Sequence, residues 1–564
     1  MQLSQMTHDS YFQELREQIL DNKNKWDNEH FIVFNHEAGT GKSRTTHRIL
    51  GEMTKEYDYR VLYVQLFVKN DELTNTVNAI NKYAGKDVAC GIAGDDIRKK
   101  NQRQRAVESP ILCVSHRMYQ MICQGEHREL VKNRDILIID EYPNLVEKVT
   151  FNCQDIGDLF VSNVGDGCQE IDELARMLRQ LVCENRKKCK TNTEMVFLDF
   201  QSVEYERYKA VATKLLKSSS SDKEQIERLK KVQQILENGA YFYEGGLHTF
   251  DSSNELLLLK SNLILDANGF DFKYQLSNKF ILKKQDKFYD YSHSQFFHYV
   301  VDTSKTGLSK YINFNQRVLN EISFEGCKGV LFITDKQNKQ ALEREIEYHF
   351  SNYGDNLKEI ENNLGCKIRV DYHGNLKGVN YYRTFDMVVV IKSPIFDFLA
   401  YGLTNFFYKS KDKIPVGNIS VFEDEDIEKI RKTSIAGELY QGMKRINRDN
   451  SQSAKYYVFC NNQDVIDIVV EQFPGIQYVR RELVVEKKRV EDVKPEQAEN
   501  PKVAEVKKLL LEYRQSGLKS IKKQELREAV GIRHKSNFTK LLHSLEKFLS
   551  DNFIIAKGQH LIFQ

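Results

Sequence analysis

The sequence predicts an α/β protein with two parallel β-sheets, each covered by helices. A helical insertion interrupts the first half, and a small separate module closes the chain. Three observations predict this. Short runs of Ile, Val, Leu and aromatic residues alternate with helical segments in two successive sets, the pattern of buried parallel strands. A glycine-rich turn stands between the first such run and a helix. Charge is also unevenly spread. The 564 residues carry 83 Lys and Arg against 80 Asp and Glu, but residues 501–564 carry 13 basic against 6 acidic and the other 500 carry 70 against 74. A basic module on a mildly acidic body points to a polyanionic partner.

The overall charge balance excludes a histone-like polycation. Length alone suggests three or four domains, and an apolar fraction of 41% with only 7 Pro supports large cores. No apolar run approaches the ~18 residues of a membrane span, and Met1–Ser10 is polar, without the apolar core of a signal peptide. The ten cysteines are scattered and form no Cys-x-x-Cys pair, which fits a reduced, cytoplasmic chain. Cys183 and Cys189 flank a basic stretch, but their six-residue spacing is a weak metal signal.

Residues 1–30 read as an entry helix and a polar loop. Residues 31–285 hold the first strand set, with runs at Phe31–Phe34, Val61–Leu66, Ile111–Val114, Ile136–Ile139 and Leu263–Leu265. Between about 145 and 260 the rhythm changes. Ile171, Leu174, Met177, Leu178, Leu181 and Val182 fall at helical spacing, and a charged helix covers Lys223 to Leu236 after a serine run. Residues 286–483 hold the second set, with strands expected at Val330–Ile333, Ile368–Tyr372, Met387–Ile391, Ile419–Phe422 and Tyr456–Phe459. Residues 484–502 are charged, carry Pro495 and Pro501 and lack periodicity, so they read as a linker. In 503–564, a helix over Val503–Gln515 is followed by a second between Ser520 and Gly531. A third places Phe538, Leu541, Leu542, Leu545, Phe548 and Leu549 on one face, and a hairpin turns at Lys557-Gly558. Three helices and a terminal hairpin predict a winged helix.

Three blocks carry chemistry. In FIVFNHEAGTGKSRTT, the strand Phe31–Phe34 leads into Gly39, Thr40, Gly41, Lys42 and Ser43 and then a helix. Glycines let backbone N–H groups curl around phosphates, and the helix N-terminus adds positive potential. Lys42 then reaches the β- and γ-phosphates of ATP, and the Ser43 hydroxyl ligates Mg²⁺. The full pattern has Gly six residues before the Lys, where this chain has His36. The second block, Asp135 to Pro143, puts Asp140 and Glu141 at the end of an apolar strand. Asp140 there holds Mg²⁺ and Glu141 polarises the attacking water. The third is Gln441-Gly-Met-Lys-Arg445-Ile-Asn-Arg448, read as two arginines on one helix face. Aimed across a cleft, they neutralise charge developing on the γ-phosphate. Each block has a plainer reading: an ordinary strand-to-helix turn, acids at a strand end, a solvated basic face.

Taken in order, these blocks resemble motifs I, II and VI of the superfamily two helicases, the DEAD/DEAH-type group. Gln441, Arg445 and Arg448 match its Gln-x-x-x-Arg-x-x-Arg pattern, with Lys444 where glycine is common. Weaker blocks follow in order: Val61–Leu66 resembles motif Ia, Ser115-His116-Arg117 the segment near Ib, and Leu265-Asp266-Ala267-Asn268 motif III. Leu331–Thr334 resembles motif IV and Gly374 to Asn380 motif V. The resemblance covers about residues 31–460. It implies two RecA-like P-loop lobes with ATP between them and single-stranded nucleic acid across their tops. The long insertion resembles the layout of the nucleotide-excision-repair branch. That branch carries an iron–sulfur cluster on four cysteines before motif II; only Cys90, Cys113 and Cys123 lie between motifs I and II here, so no cluster is expected.

The expected activity is ATP-dependent movement on, or unwinding of, nucleic acid, DNA before RNA. The alternative is an ATP-gated module that recruits nucleic acid or protein without unwinding. Arg98 to Arg105 holds five positive charges in eight residues and reads as a solvated loop or part of a nucleic-acid path. Arg533, His534, Lys535, Lys540 and Lys557 are the expected duplex-DNA contacts of the winged helix. Protein partners are expected at that module or at the insertion, and no membrane partner is.

Overall fold

The computed structural model describes residues 7–66, 71–161, 169–188, 193–218, 223–376, 381–488, 501–515, 518–532 and 554–563, together with 538, 539, 541, 542, 545, 548, 549 and 552. The chain divides into two compact units, residues 1–309 with 313–485, and residues 310–312 with 486–564.

The first unit holds two parallel sheets. The strand order in one is Phe280–Lys283, Phe31–Phe34, Ser261–Leu265, Ile136–Asp140, Val61–Gln65, Ile111–Ser115, Ala89–Ile92. Every pairing in it is parallel. Phe31 and Val33 join one apolar cluster while Ile32 and Phe34 join another. The sheet is therefore covered on both faces, which is why its strands read as continuous apolar runs. Register then places the chemistry. Phe34 is level with Leu265, and Leu265 with Asp140, so the loops that follow these three strands leave one edge side by side. Ligands of parallel α/β sheets bind at that carboxyl edge.

The second sheet runs Lys367–Tyr372, Gly329–Thr334, Met387–Val390, Lys455–Phe459, Gln295–Val300, Gln477–Glu482, again all parallel. The expected strand at Ile419–Phe422 is not in it. Only Ile419–Ser420 is extended, and it pairs antiparallel with Glu194–Leu198 of the insertion. Ile419 is buried opposite Met195, whereas Phe422 is exposed and adopts φ +64, which ends the strand. Helix Phe398–Lys411, also from the second half of the chain, buries Phe398, Leu399 and Phe406 in the core of the first lobe.

The insertion is less helical than the sequence predicts. Helices Cys153–Val161, Gln169–Lys188, Val203–Ser218 and Lys223–Asn238 are present. They accompany an antiparallel sheet of Glu194–Leu198, Ala240–Tyr243, Gly246–Phe250 and Lys148–Phe151. A two-residue hairpin at Glu244-Gly245, both with positive φ, joins two of these strands.

In the second unit, helices Pro501–Gln515 and Lys523–Ala529 accompany a three-stranded antiparallel sheet of Ser520–Lys522, His560–Phe563 and Ile554–Lys557. Val506, Leu510, Leu526, Leu545 and Leu561 form its core. Arg533, His534, Lys535 and Lys540 lie outside the described residues, as do residues 377–380 of the motif V segment. Among the described residues no helix is long and apolar enough to cross a membrane.

Candidate nucleotide site

The glycine turn leaves Phe34 and enters helix Lys42–Met53 through Gly41. Gly39 and Gly41 both adopt φ +89, a conformation that disfavours any residue with a Cβ. Lys42 Nζ donates to the carbonyls of His36 (2.9 Å) and Glu37 (3.4 Å). Burial lowers its pKa, opposed by Asp140 and Glu141. Thr40 is anchored by its hydroxyl to the Glu37 carbonyl, and His8 Nε2 lies 2.8 Å from the Thr40 carbonyl oxygen.

His36, in the place of the missing glycine, is fully buried. Its ring stacks on Phe12 at 4.6 Å and on Phe34 at 5.7 Å, and its Nε2 donates to the Tyr11 carbonyl at 3.1 Å. Burial drives its pKa down to about 3. The entry segment, helices His8–Tyr11 and Gln13–Leu20, thus braces the turn from outside the sheet. Tyr11 hydroxyl also accepts the Glu37 N–H at 2.9 Å.

Ser43 Oγ donates to Asp140 Oδ2 at 2.5 Å. The same oxygen accepts the Tyr63 hydroxyl at 2.9 Å. His47 Nε2 lies 3.2 Å from Tyr63 Oη. Because that hydroxyl hydrogen goes to Asp140, His47 is the donor in the second bond. Glu141 adopts φ +62 and donates its N–H to the Leu265 carbonyl at 3.1 Å. Burial raises its pKa, and Asp140 and Asp266 raise it further, against Arg445 and Lys42. Asp266 accepts the Tyr274 hydroxyl at 2.6 Å.

The arginine block ends a helix rather than lying along one. Helix Glu425–Met443 closes at Lys444, whose N–H bonds the Tyr440 carbonyl at 2.9 Å, and Arg445 N–H then reaches only three residues back, to the Gly442 carbonyl at 3.2 Å. Asn447, at φ +39, donates its N–H to the Phe385 carbonyl at 3.0 Å. Tertiary bonding therefore takes over from the helix three residues past its end. Gln441 remains helical; Arg445 and Arg448 sit in the turn. Arg445 is 6% exposed, and its Nε has no hydrogen-bond partner among the described residues. Burial lowers its pKa, Arg448 adds to this, and Glu141 opposes it. Upstream on the helix, Gly437 faces Asn268, whose Nδ2 lies 3.1 Å from where a Cβ would stand. A cavity of about 560 Å³ between the lobes is lined by His116, Glu141, Asn268, Glu438 and Gln441, among others.

Of the ten expected site residues, Glu141 and Gln441 line this cavity, Ser43 meets Asp140, and the Arg448 carbonyl abuts Gly39. Sequence reading missed Tyr63, Tyr289, Tyr291 and Glu37. Lys444, a lysine at a glycine-preferring position, was visible in the sequence, but its partners were not.

Residues 5–164 match the sequence profile of the family described as Type III restriction enzyme, res subunit. No curated protein matches the chain. Among solved structures, the chain is similar to Xpd4 of S. tokodaii, at 12% identity over 83% of this chain and 99% of that one, with a TM-score of 0.49. It is also similar to S. cerevisiae Dbp5 bound to RNA and ADP BeF3, at 9% over 80% and 86%, with a TM-score of 0.33. A third is Mycobacterium smegmatis Lhr bound to ssDNA and AMP-PNP, at 10% over 99% and 60%, with a TM-score of 0.35. The chain is thus an α/β protein of two parallel-sheet lobes, and residues 5–164 of its first lobe are similar to the Type III restriction enzyme, res subunit family.

Proposed function

We propose that this protein hydrolyses ATP between its two lobes and uses the cycle to move along, or unwind, nucleic acid, with DNA as the substrate. The observation that carries the reading is the apposition of the arginine turn to the glycine turn. The Arg448 carbonyl oxygen stands 2.0 Å from where a Gly39 Cβ would be. In this reading Gly39, Thr40, Gly41 and Lys42 cradle the phosphates. Glu141 orients the attacking water, while Gln441, Arg445 and Arg448 face the γ-phosphate from the other lobe.

The residues fit these ligands. Arg445 Nε is a buried donor with no partner among the described residues, and Lys42 Nζ is held by two backbone carbonyls. Ser43 Oγ and Asp140 Oδ2, 2.5 Å apart, are hard oxygen donors of the kind Mg²⁺ takes. Bound there, Mg²⁺ would neutralise charge on the phosphates.

The basic terminal module, taken as a winged helix, favours DNA, and a reduced cytoplasmic setting belongs to the same reading. The test is ATP turnover with and without single-stranded DNA or RNA, followed by strand displacement. Lys42→Ala should abolish turnover, and Glu141→Gln should bind ATP without hydrolysing it. A folded protein that hydrolyses nothing with any polymer sinks the proposal. Turnover without displacement or translocation makes the chain an ATP-gated binding module instead.

A further inference from the structure

A buried chain of hydrogen bonds crosses between the lobes beside the groups assigned to ATP. Glu37 is 1% exposed. Its Oε2 accepts the backbone N–H of Phe288 at 2.9 Å and of Tyr289 at 3.1 Å, and its Oε1 accepts the Tyr291 hydroxyl. Tyr291 Oη in turn accepts Lys444 Nζ at 2.7 Å. Donors and acceptors match along this path. The phenol gives its one hydrogen to the carboxylate and takes the ammonium on its oxygen. Lys444 is 2% exposed and lies 5.1 and 4.9 Å from the ring centres of Tyr289 and Tyr291, where aromatic faces offset part of its desolvation.

Lone buried charges are costly, and breaking one side of a buried pair strands the other. A lysine and a glutamate joined through one phenol are therefore a unit. That unit ties three segments together: the glycine turn through Glu37, the connection between the lobes through Phe288, Tyr289 and Tyr291, and the arginine turn through Lys444. Two outer bonds reinforce it. Ala38 N–H donates to Tyr440 Oη at 3.3 Å, and the Tyr289 hydroxyl donates to the Gly39 carbonyl at 3.1 Å. Lys444 directly precedes Arg445.

We propose that Glu37, Tyr291 and Lys444 are positioning residues that clasp the arginine turn over the glycine turn independently of nucleotide. The inference rests on the roles given above to Arg445 and Arg448. It assigns a purpose to lysine at a position where the resembled motif commonly has glycine.

The experiment uses the full chain and the variants Lys444→Met, Glu37→Gln, Tyr291→Phe and the double variant Glu37→Gln/Lys444→Met. Tyr291→Phe keeps the ring and deletes only the bridging hydroxyl, so it remains informative if a charge variant fails to fold. Misplacing the arginines should lower kcat for ATP about a hundredfold, with KM changed far less. The double variant should lose no more than either single one, because one broken link opens the whole chain. Amide hydrogen exchange of the nucleotide-free protein supplies a readout that needs no activity. Segments 37–42 and 286–291 should exchange roughly tenfold faster in each variant. Unchanged exchange in all variants, or losses in kcat that multiply in the double variant, overturns the clasp. A wild type without ATPase, but with exchange that responds as stated, would overturn the functional reading and leave the clasp standing.

Discussion

The carbonyl oxygen of Arg448 occupies the space in which a side chain on Gly39 would begin, 2.0 Å from the Cβ position. Two elements more than 400 residues apart thus meet backbone to backbone, and glycine is required twice over, by contact and by φ +89. Gly39→Ala should cost about 1–2 kcal/mol for the left-handed conformation alone. The contact then forces the arginine turn away. We expect ATP turnover to fall about a hundredfold while thermal unfolding shifts by only a few degrees. A variant with normal turnover would show that the two turns need not touch.

Tyr63 predicts a separable effect on metal use. Its hydroxyl donates to the same Asp140 oxygen that accepts Ser43, and His47 supports it from behind. Deleting a hydrogen bond that orients a metal ligand weakens metal affinity about 10–100-fold. Tyr63→Phe should therefore raise the Mg²⁺ concentration needed for half-maximal turnover by that factor, and saturating Mg²⁺ should restore the rate. Mg²⁺ titrations of turnover and of fluorescent-nucleotide binding would show this, and superimposable curves for variant and wild type would remove Tyr63 from the site.

What the sequence revealed and what it concealed divide along contact distance. The strand Phe31–Phe34 and its glycine turn are local and doubly buried, so apolar runs and residue types expose them. Strand Gln477–Glu482 is an edge strand with mostly exposed side chains, and Ala89–Ile92 contains a glycine, so neither shows an apolar run. The arginine pattern located Arg445 and Arg448. It could not show that the helix closes at Lys444 and that Phe385 then captures the Asn447 N–H, which leaves both arginines in a turn. Tyr291 reaches Glu37 across 254 positions, and no periodicity encodes such a pair. The hairpin at Glu244-Gly245 went unread because strong helical spacing precedes it.

His36 makes the fold sensitive to acid. It is held neutral at about pKa 3, against 6.5 when unfolded, chiefly by burial and then by Lys42. Between those values the unfolded chain binds a proton that the folded chain does not. Its contribution is therefore complete above pH 6.5 and is lost as pH falls toward 3, at up to about 1.4 kcal/mol per pH unit. His47, His298 and His373 are also shifted down by burial, so the total slope has several sources. His36→Phe keeps the stack on Phe12 and Phe34 and isolates one of them. Urea unfolding at pH 4.5, 5.5 and 7 should show a smaller acid loss in the variant than in wild type; equal slopes would mean that His36 can be protonated in place.

The terminal module should govern how salt weakens nucleic-acid binding. Each phosphate neutralised by Lys or Arg releases counterions, and the logarithm of affinity falls with that of salt by about 0.9 per duplex contact. Residues 501–564 hold 13 basic and 6 acidic residues, against 70 and 74 in the rest. They belong to a unit with its own core around Val506, Leu526 and Leu561. A chain ending at residue 500 keeps the Tyr311–Lys487 bridge that closes the preceding segment, and it keeps all ten residues assigned to ATP and Mg²⁺. Its basal ATPase should equal that of the full chain. Its affinity for duplex DNA should drop, and its salt slope should flatten by about two units or more, as for the loss of two or three phosphate contacts. Binding titrations between low and moderate salt, on single-stranded and duplex DNA in parallel, separate the cases. If the slope is unchanged on both, the basic surplus faces a protein partner and the first unit alone grips the strand.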